Sequence, residues 1–367
     1  MSESVRNSTK HIKLFIPGPT EVRPEVLDAQ TQWMIGHRMP ECADLVGSIE
    51  PKLQQVFYTQ KRVLINASSG TGLMEAAVRN TVSQKILHCI NGAFSTRWHE
   101  ISQANGKATD TIEVEWGQPI LPEQVAAKLA DGGFDAIAIT HNETSTGVTN
   151  PIKEIAEVVR HAPNGQEIMI LVDSVSGLAG ARLEFDNWDL DVALTSSQKA
   201  FALPAGLAFC AVSDRAMAKA KTIPDRGYYF DFIDLDKYLQ KNQTPATPAV
   251  SLMFALDKQL TDMMAEGMEA RFTRHLAMRD RTIEWATERD FVLFAAPGYE
   301  SPTVTCISNT MNMDISALNK HLRERGMIIS NGYGALKGKN FRIAHMGDTQ
   351  MSDLEELFGA MDEFLNP

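Results

Sequence analysis

The chain has 367 residues, 44 % of them apolar and 22 % charged, a globular composition that excludes a mainly disordered, collagen-like or coiled-coil protein. At roughly 150 residues per domain, the length predicts one large domain with a smaller companion. Its 35 Lys and Arg against 46 Asp and Glu leave a net charge of −11, so no overall positive field draws it to nucleic acid or anionic lipid.

No apolar run nears the roughly 20 residues of a membrane-crossing helix; the strongest, such as 168–172, are strand-sized. The opening MSESVRNSTKHIKLFIPGPTEV is interrupted by Pro17 and Pro19 before a signal-peptide core could form. Cys42, Cys89, Cys210 and Cys306 are far apart, with no CxxC pair and too few for a disulfide framework. These features predict a cytoplasmic protein with reduced thiols and with neither nucleic acid nor membrane among its partners.

From about residue 60 to residue 215, short β-branched runs alternate with helical stretches, the pattern of a mostly parallel sheet covered by helices. Strands are predicted at 62–66, 85–90, 111–115, 134–140, 167–172, 191–195 and 207–212, with helices at 71–81, 95–104, 122–130 and 151–161. In the last helix Asn150 is the expected N-cap, Pro151 the first turn, and Ile152, Ile155, Val158 and Val159 the buried face. After Pro248 a long helical region, about 250–289, carries Met253, Leu256, Leu260 and Met264 at helical spacing and reads as a connector. Then come a strand at 303–308, a helix at 314–324 closed by Gly326, strands at 327–330 and 340–345, and a final helix with Ser352 and Glu355 as a capping box. The expected division is a large α/β domain over 1–250, with an N-terminal arm over 1–20, and a connector helix plus small α+β domain over 251–367. The 17 methionines read as core packing.

The segment DVALTSSQKAFALPAG ends a buried-type strand in small polar residues followed by Lys199, at the carboxyl edge where open α/β sheets place their ligands. Upstream, the run EIMILV ends in Asp173, at the same edge. Either residue alone reads as an ordinary strand-end or loop side chain. Together they point to pyridoxal 5'-phosphate, which needs a lysine for a Schiff base and a carboxylate to keep its ring nitrogen protonated. ASSGTG, residues 67–72, opens a helix and suits a single phosphate at its N-terminus; no GxGxxG or GxxxxGK[ST] is present. In NGAFSTRW, Phe94 suits stacking on a ring, with Trp98 as a rival, and in HNETSTG, Thr144 suits a phenolic oxygen. His141 reads as a hydrogen-bonded strand-end histidine, and no set of residues has metal-ligand spacing.

In the order PGPT, SSGTG, NGAF, HNETSTG, VDSVSG, SSQKAFALPAG, TPATPAVS and FRIAHMGD, from about Leu14 onward, the chain resembles the class V aminotransferases of the alanine–glyoxylate and serine–glyoxylate (serine–pyruvate) group. The resemblance implies the fold type I architecture of pyridoxal phosphate enzymes and a homodimer with active sites shared across the interface. It makes Lys199 the Schiff-base lysine, Asp173 the pyridinium partner, and Ser69, Gly70, Thr71 and Gln198 the phosphate holders. Thr144 would contact the ring hydroxyl, and Phe94 would stand where the group often has a tryptophan. Thr244 or Thr247 would reach the neighbouring subunit's phosphate site, Arg342 would bind the substrate α-carboxylate, and Gly18, within Pro17–Thr20, would line the substrate entrance.

The implied reaction moves an amino group from a small L-amino acid, serine or alanine, to a 2-oxo acid, glyoxylate or pyruvate, by a ping-pong route. The alternative on the same scaffold is a phosphoserine or aspartate aminotransferase using 2-oxoglutarate, which needs a second cation in the pocket; His37 and Arg38 are the residues that the sequence offers. A lyase or cysteine desulfurase would need a nucleophilic cysteine on a mobile loop, whereas Cys306 sits in the apolar strand TVTCIS. A non-enzymatic regulator that binds the cofactor is the remaining class.

Overall fold

The structure is a computed structural model and describes residues 11–365; residues 1–10 of the expected arm lie outside the described residues. In chain order the first elements are β1 (Lys13–Phe15), α1 (Pro24–Ala29), α2 (Pro40–Phe57), β2 (Arg62–Asn66), α3 (Gly70–Thr81), β3 (Lys85–Ile90), α4 (Ala93–Ala104), β4 (Ala108–Glu113), α5 (Pro122–Leu129) and β5 (Ala136–Thr140). The ribbon β6 (Asn142–Glu143) and β7 (Val148–Thr149) leads to α6 (Ile152–His161), β8 (Met169–Asp173), β9 (Val192–Ser196), β10 (Ala208–Val212), α7 (Asp214–Thr222) and α8 (Phe232–Leu239). The remainder holds α9 (Val250–Glu266), α10 (Met268–Thr287), β11 (Val292–Leu293), β12 (Val304–Ser308), α11 (Ile315–Glu324), β13 (Met327–Asn331), β14 (Asn340–Ala344) and α12 (Met351–Leu365).

The larger sheet has seven strands in the order β2-β10-β9-β8-β5-β3-β4. Only β10 runs against its neighbours; the β9–β8, β8–β5, β5–β3 and β3–β4 pairings are parallel. The central runs AIAIT, MILVD, VALTS and AFCAV are buried throughout, as strands covered on both faces require. This is the mostly parallel α/β sheet that the alternating runs predict. The second sheet, β1-β13-β14-β12-β11, has its own core, in which Trp285, Phe291, Phe341 and Phe358 meet. Its edge strand β1 pairs in parallel with β13, which seats Lys13–Phe15 of the arm on the C-terminal sheet.

Several local expectations need correction. The strand expected at 111–115 starts at Ala108, because pairing with β3 begins at Lys85 opposite Ala108; its polar start, ATD, carries no apolar signal. Asn150 does not cap α6. Its side chain is buried and accepts from Ile120 N (2.8 Å) and Asn91 Nδ2 (3.1 Å) while donating to Thr140 O (2.7 Å), and Pro151 takes the cap position. The expected connector helix is two helices, broken at Gly267 with φ +82°, a conformation that costs glycine little. Ser352 lies inside α12, and Gln350 N donates instead to Asp353 Oδ2 at 2.9 Å.

One buried arginine joins these parts near the sheet edge. Arg271, on α10, is 1 % exposed. It donates through Nε to Ala179 O and through Nη2 to Ala200 O, both at 2.9 Å, and pairs with Glu266 (2.7 Å) and Asp348 (3.1 Å). Asp348 also accepts from Arg23 Nε (2.6 Å) and Gln259. Removing one partner of such a buried set leaves charges and carbonyls uncompensated, so Arg271→Ala is expected to lower unfolding stability by about 3–5 kcal/mol. Urea denaturation measures it, and a loss below about 1 kcal/mol, as for a surface pair, would contradict this account.

Candidate active site

Strand β9 delivers its last residue, Ser196, to a tight turn that carries Gln198 and Lys199. The arm at Pro17–Thr20 lies across this turn: Thr20 N donates to Gln198 O (3.1 Å), Thr20 Oγ1 to Lys199 O (3.0 Å), and Lys199 Nζ to Pro17 O. Gly18 has φ +128°, and a Cβ there would come within 2.7 Å of the Lys199 side chain. Only glycine meets both conditions.

Asp173 ends β8, next to β9 and level with Thr140 of β5. It is 3 % exposed, and its Oδ1 accepts from Val175 N at 2.8 Å. Burial pushes its carboxyl up to about 7, against the pull of the Val175 N–H; the Glu143 charge adds to the rise, while Lys199 and Arg97 oppose it. Burial pulls the Lys199 amine down to about 8, helped by Arg342 and Arg97 and opposed by Asp173. Both groups are driven toward their neutral forms, and no ion pair joins them.

A cavity lies between them, lined by Ser69, Gly70 and Thr71 of the α3 start, Phe94 and Arg97 of α4, and Asn142, Thr144, Asp173, Ser176, Ser196, Gln198 and Lys199. Ser69 caps α3 with no side-chain bond to its first turn, so that turn offers N–H groups without intrahelical partners. A Cβ on Gly70 would meet Val175 at 2.5 Å, which packs the helix start against the Asp173 loop. Ser196 Oγ, Gln198 Oε1 and Asn142 Oδ1 are buried and have no hydrogen-bond partner, an arrangement that natural cores rarely leave unfilled.

Phe94 is fixed by Glu143. This fully buried carboxylate accepts from Phe94 N (3.1 Å), Ser95 N (3.0 Å) and Ser145 N (3.1 Å) at the positive end of α4. The Lys199 Nζ stands 5.9 Å from the centre of the Phe94 ring. Its rival, Trp98, is core: 1 % exposed, with Nε1 donating to Met74 O at 3.0 Å. Thr144 Oγ1 donates to Ser176 Oγ at 2.8 Å. His141 is buried beside the Ser174 hydroxyl, and desolvation brings it down to about 4, so it is neutral. Arg342, on β14, is 6 % exposed and reaches the site from the other sheet, donating to Thr144 O (3.2 Å) and twice to Asn331 O (3.1 and 3.2 Å).

The structure thus brings Ser69, Gly70, Thr71, Phe94, Thr144, Asp173, Gln198 and Lys199 to one cavity, with Gly18 and Arg342 behind it. Thr244 and Thr247 are not there; they line a separate pocket with Asn66, Tyr228 and Tyr229. Arg38 is occupied by the carbonyls of Thr244 and Pro245 on that side. Cys306 is 2 % exposed, and burial raises its thiol to about 12. Among the described residues no cluster of three or more His, Cys, Asp or Glu side chains is placed to hold a metal, and no helix is long and apolar enough to cross a membrane. Sequence reasoning missed Asn142, Ser176, Arg97 and Tyr333. The first three lie inside motifs already singled out, and the α4 spacing from Phe94 to Arg97, one turn, was the further signal for Arg97.

The family profile described as aminotransferase class V matches residues 13–344. The chain is 35 % identical to a protein named soluble hydrogenase, small subunit, of Synechococcus sp., covering 96 % of this chain and 92 % of that one. It is 31 % identical to a serine–glyoxylate aminotransferase of Methylorubrum extorquens, covering 95 % and 89 %. The solved alanine–glyoxylate aminotransferase of Nostoc sp. superposes with a TM-score of 0.91 at 26 % identity over all of both chains.

An amine drawn down to about 8 is half neutral near that pH. Lys199 is therefore expected to take up acetaldehyde, trapped with cyanoborohydride and read by peptide mass spectrometry, with a rate whose midpoint is near pH 8. A midpoint near the ordinary 10.5 of lysine would show that the burial does not act on the amine.

Proposed function

The chain belongs to the class V aminotransferases and is a transaminase, and from that premise we propose its cofactor, donor and acceptor: pyridoxal 5'-phosphate, a small L-amino acid (serine or alanine), and glyoxylate or pyruvate. The observation that carries the reading is the pair of Asp173 and Lys199, buried at one sheet edge, displaced toward neutrality and facing a common cavity. The residues present fit the cofactor. The unpartnered Ser196 hydroxyl and the open first turn of α3 are donors that suit its phosphate, and a buried carboxylate suits a protonated ring nitrogen. In this reading Ser69, Gly70, Thr71 and Gln198 hold the phosphate, Phe94 covers one ring face, and Thr144 serves the ring hydroxyl. Both named glyoxylate enzymes reported above support glyoxylate as acceptor.

When bound, pyridoxal phosphate supplies an electron sink for the pair left at the carbon that loses its proton. Asp173 holds the proton on the ring nitrogen, a role that keeps the carboxylate charged in a place where burial alone would neutralise it. Lys199 Nζ, once free, takes the proton from the substrate α-carbon; an amine poised near 8 is close to the ideal for a base at neutral pH. Arg342 binds the α-carboxylate through guanidinium N–H groups outside its three carbonyl bonds. The ping-pong course has the amino acid leave as an oxo acid before the second oxo acid enters.

The protein works as a homodimer in this reading. Support comes from Trp33 and Tyr228, 94 % and 90 % exposed, and from the Thr244–Thr247 segment, which turns away from its own Lys199 and suits a neighbour's phosphate site. A cytoplasmic home suits four buried, unpaired cysteines. The buried, protonated Cys306 argues against a desulfurase, which needs an exposed thiolate.

The test is the half-reaction. Loaded enzyme mixed with serine or alanine alone is expected to release one equivalent of oxo acid per site and then stop until glyoxylate or pyruvate is added. Release from O-phosphoserine only, or glutamate only, would replace the donor proposed here. Lys199→Ala is expected to abolish turnover, and Asp173→Asn to lower kcat by about 10²–10⁴-fold; steady turnover by Lys199→Ala would overturn the assignment.

A further inference from the structure

A transfer between small monocarboxylic substrates needs one guanidinium for one carboxylate, and this site holds two. Arg342 answers the α-carboxylate. Arg97 lines the cavity together with Lys199, Asp173 and Phe94, and its charge is felt at both titrating groups. Among the described residues Arg97 has no carboxylate partner, whereas Arg23, Arg160 and Arg271 all pair with acids.

The guanidinium of Arg97 is nonetheless held in place. It stacks 5.0 Å from the centre of the Phe94 ring, and its Nη2 donates to the Tyr333 hydroxyl at 2.9 Å. Tyr333 packs on Phe94 with ring centres 5.3 Å apart, and the Arg342 guanidinium lies 5.6 Å from the Tyr333 ring centre. One tyrosine therefore touches both arginines, Arg342 over its ring and Arg97 at its hydroxyl. A guanidinium has five N–H donors, and the hydrogen bonding of Arg97 to the described residues uses one. The Tyr333 hydroxyl, accepting from Arg97, keeps its own proton to donate.

We propose that Arg97, with the Tyr333 hydroxyl, is a specificity-determining pair that binds a second carboxylate, so that the site takes dicarboxylic substrates of aspartate size beside the small neutral ones. This rests on the transaminase reading above. A dianionic substrate answers both guanidinium groups with charge-assisted, forked bonds. A monocarboxylic one leaves Arg97 to water, and a site built to bond a group discriminates against analogues that lack it. Within this chain's own cavity, the second cation that an acidic donor requires comes from α4.

The experiment uses the enzyme loaded with pyridoxal phosphate and has two arms. In the first, kcat/KM with glyoxylate is measured for L-aspartate and for L-alanine, and Arg97→Gln is expected to lower the aspartate-to-alanine ratio by about 30-fold. In the second, calorimetry compares succinate with propionate; succinate is expected to bind more tightly, and Arg97→Gln to remove the difference. Should that variant fail to fold, Tyr333→Phe keeps the ring packing and is expected to lower the same ratio by about 5-fold. Equal losses with both donors, or a wild-type enzyme that binds succinate no better than propionate, would overturn the proposal. If neither donor is turned over but an Arg97-dependent preference for succinate remains, the transaminase reading falls and the second-carboxylate site stands.

Discussion

The structure turns on the removal of an amine and a carboxyl from water at the carboxyl edge of one sheet, without letting them pair. Asp173 and Lys199 end or follow neighbouring strands, both are screened from solvent, and each is moved toward its neutral form by the same cause, burial. Had they formed an ion pair, each would have been locked in its charged state. Kept apart, they leave a lysine able to act as nucleophile and base near neutral pH, and an acid ready to answer a positive ring nitrogen. The unpartnered Ser196 hydroxyl in the same cavity extends that incompleteness to a third position. A bound group with an aldehyde, a basic ring nitrogen and a phosphate would satisfy all three.

Holding such a site open takes structure from far along the chain. The arm at Pro17–Thr20 closes over Lys199 by backbone bonds, and the strand just before it is anchored in the opposite sheet, beside β13. Arg271 ties the carbonyl after Lys199 to Asp348, and Asp348 ties both to Arg23, just beyond the arm. Arg342 and Tyr333 come from the small sheet to the wall that Thr144 and Phe94 form in the large one. The walls of the candidate site are therefore supplied across the junction of two cores.

The chemistry and the large sheet were legible because both leave dense local signals. Strands buried on both faces are continuous apolar runs, and Lys199, Asp173 and the Ser69–Thr71 turn each directly follow or end one. What escaped had no local signature. A three-residue strand, Lys13–Phe15, is too short to show alternation, and its partner lies over 300 residues away. Asn150 looks like a cap because its neighbours are Pro and a helix, yet its amide is consumed by Asn91, Ile120 and Thr140, contacts made only in the folded sheet. Phe94 was the stacker that the sequence offered, with Trp98 as its rival, and packing is what sets Trp98 aside in the core. Arg97 reads as an ordinary helix arginine until Tyr333, from the far sheet, is laid beside it. Thr244 and Thr247 line a pocket with Asn66, Tyr228 and Tyr229, distant residues whose approach has no signature in the local sequence.

In the proposed function the amine of Lys199 is the one that would hold the cofactor. Sodium borohydride, added to the protein equilibrated with pyridoxal phosphate, fixes the cofactor to the amine that carries it, and peptide mapping by mass spectrometry then finds the residue. A single pyridoxyl group per chain is expected, on the peptide that contains Lys199. Labelling spread over surface lysines, or no labelling of that peptide, would contradict it.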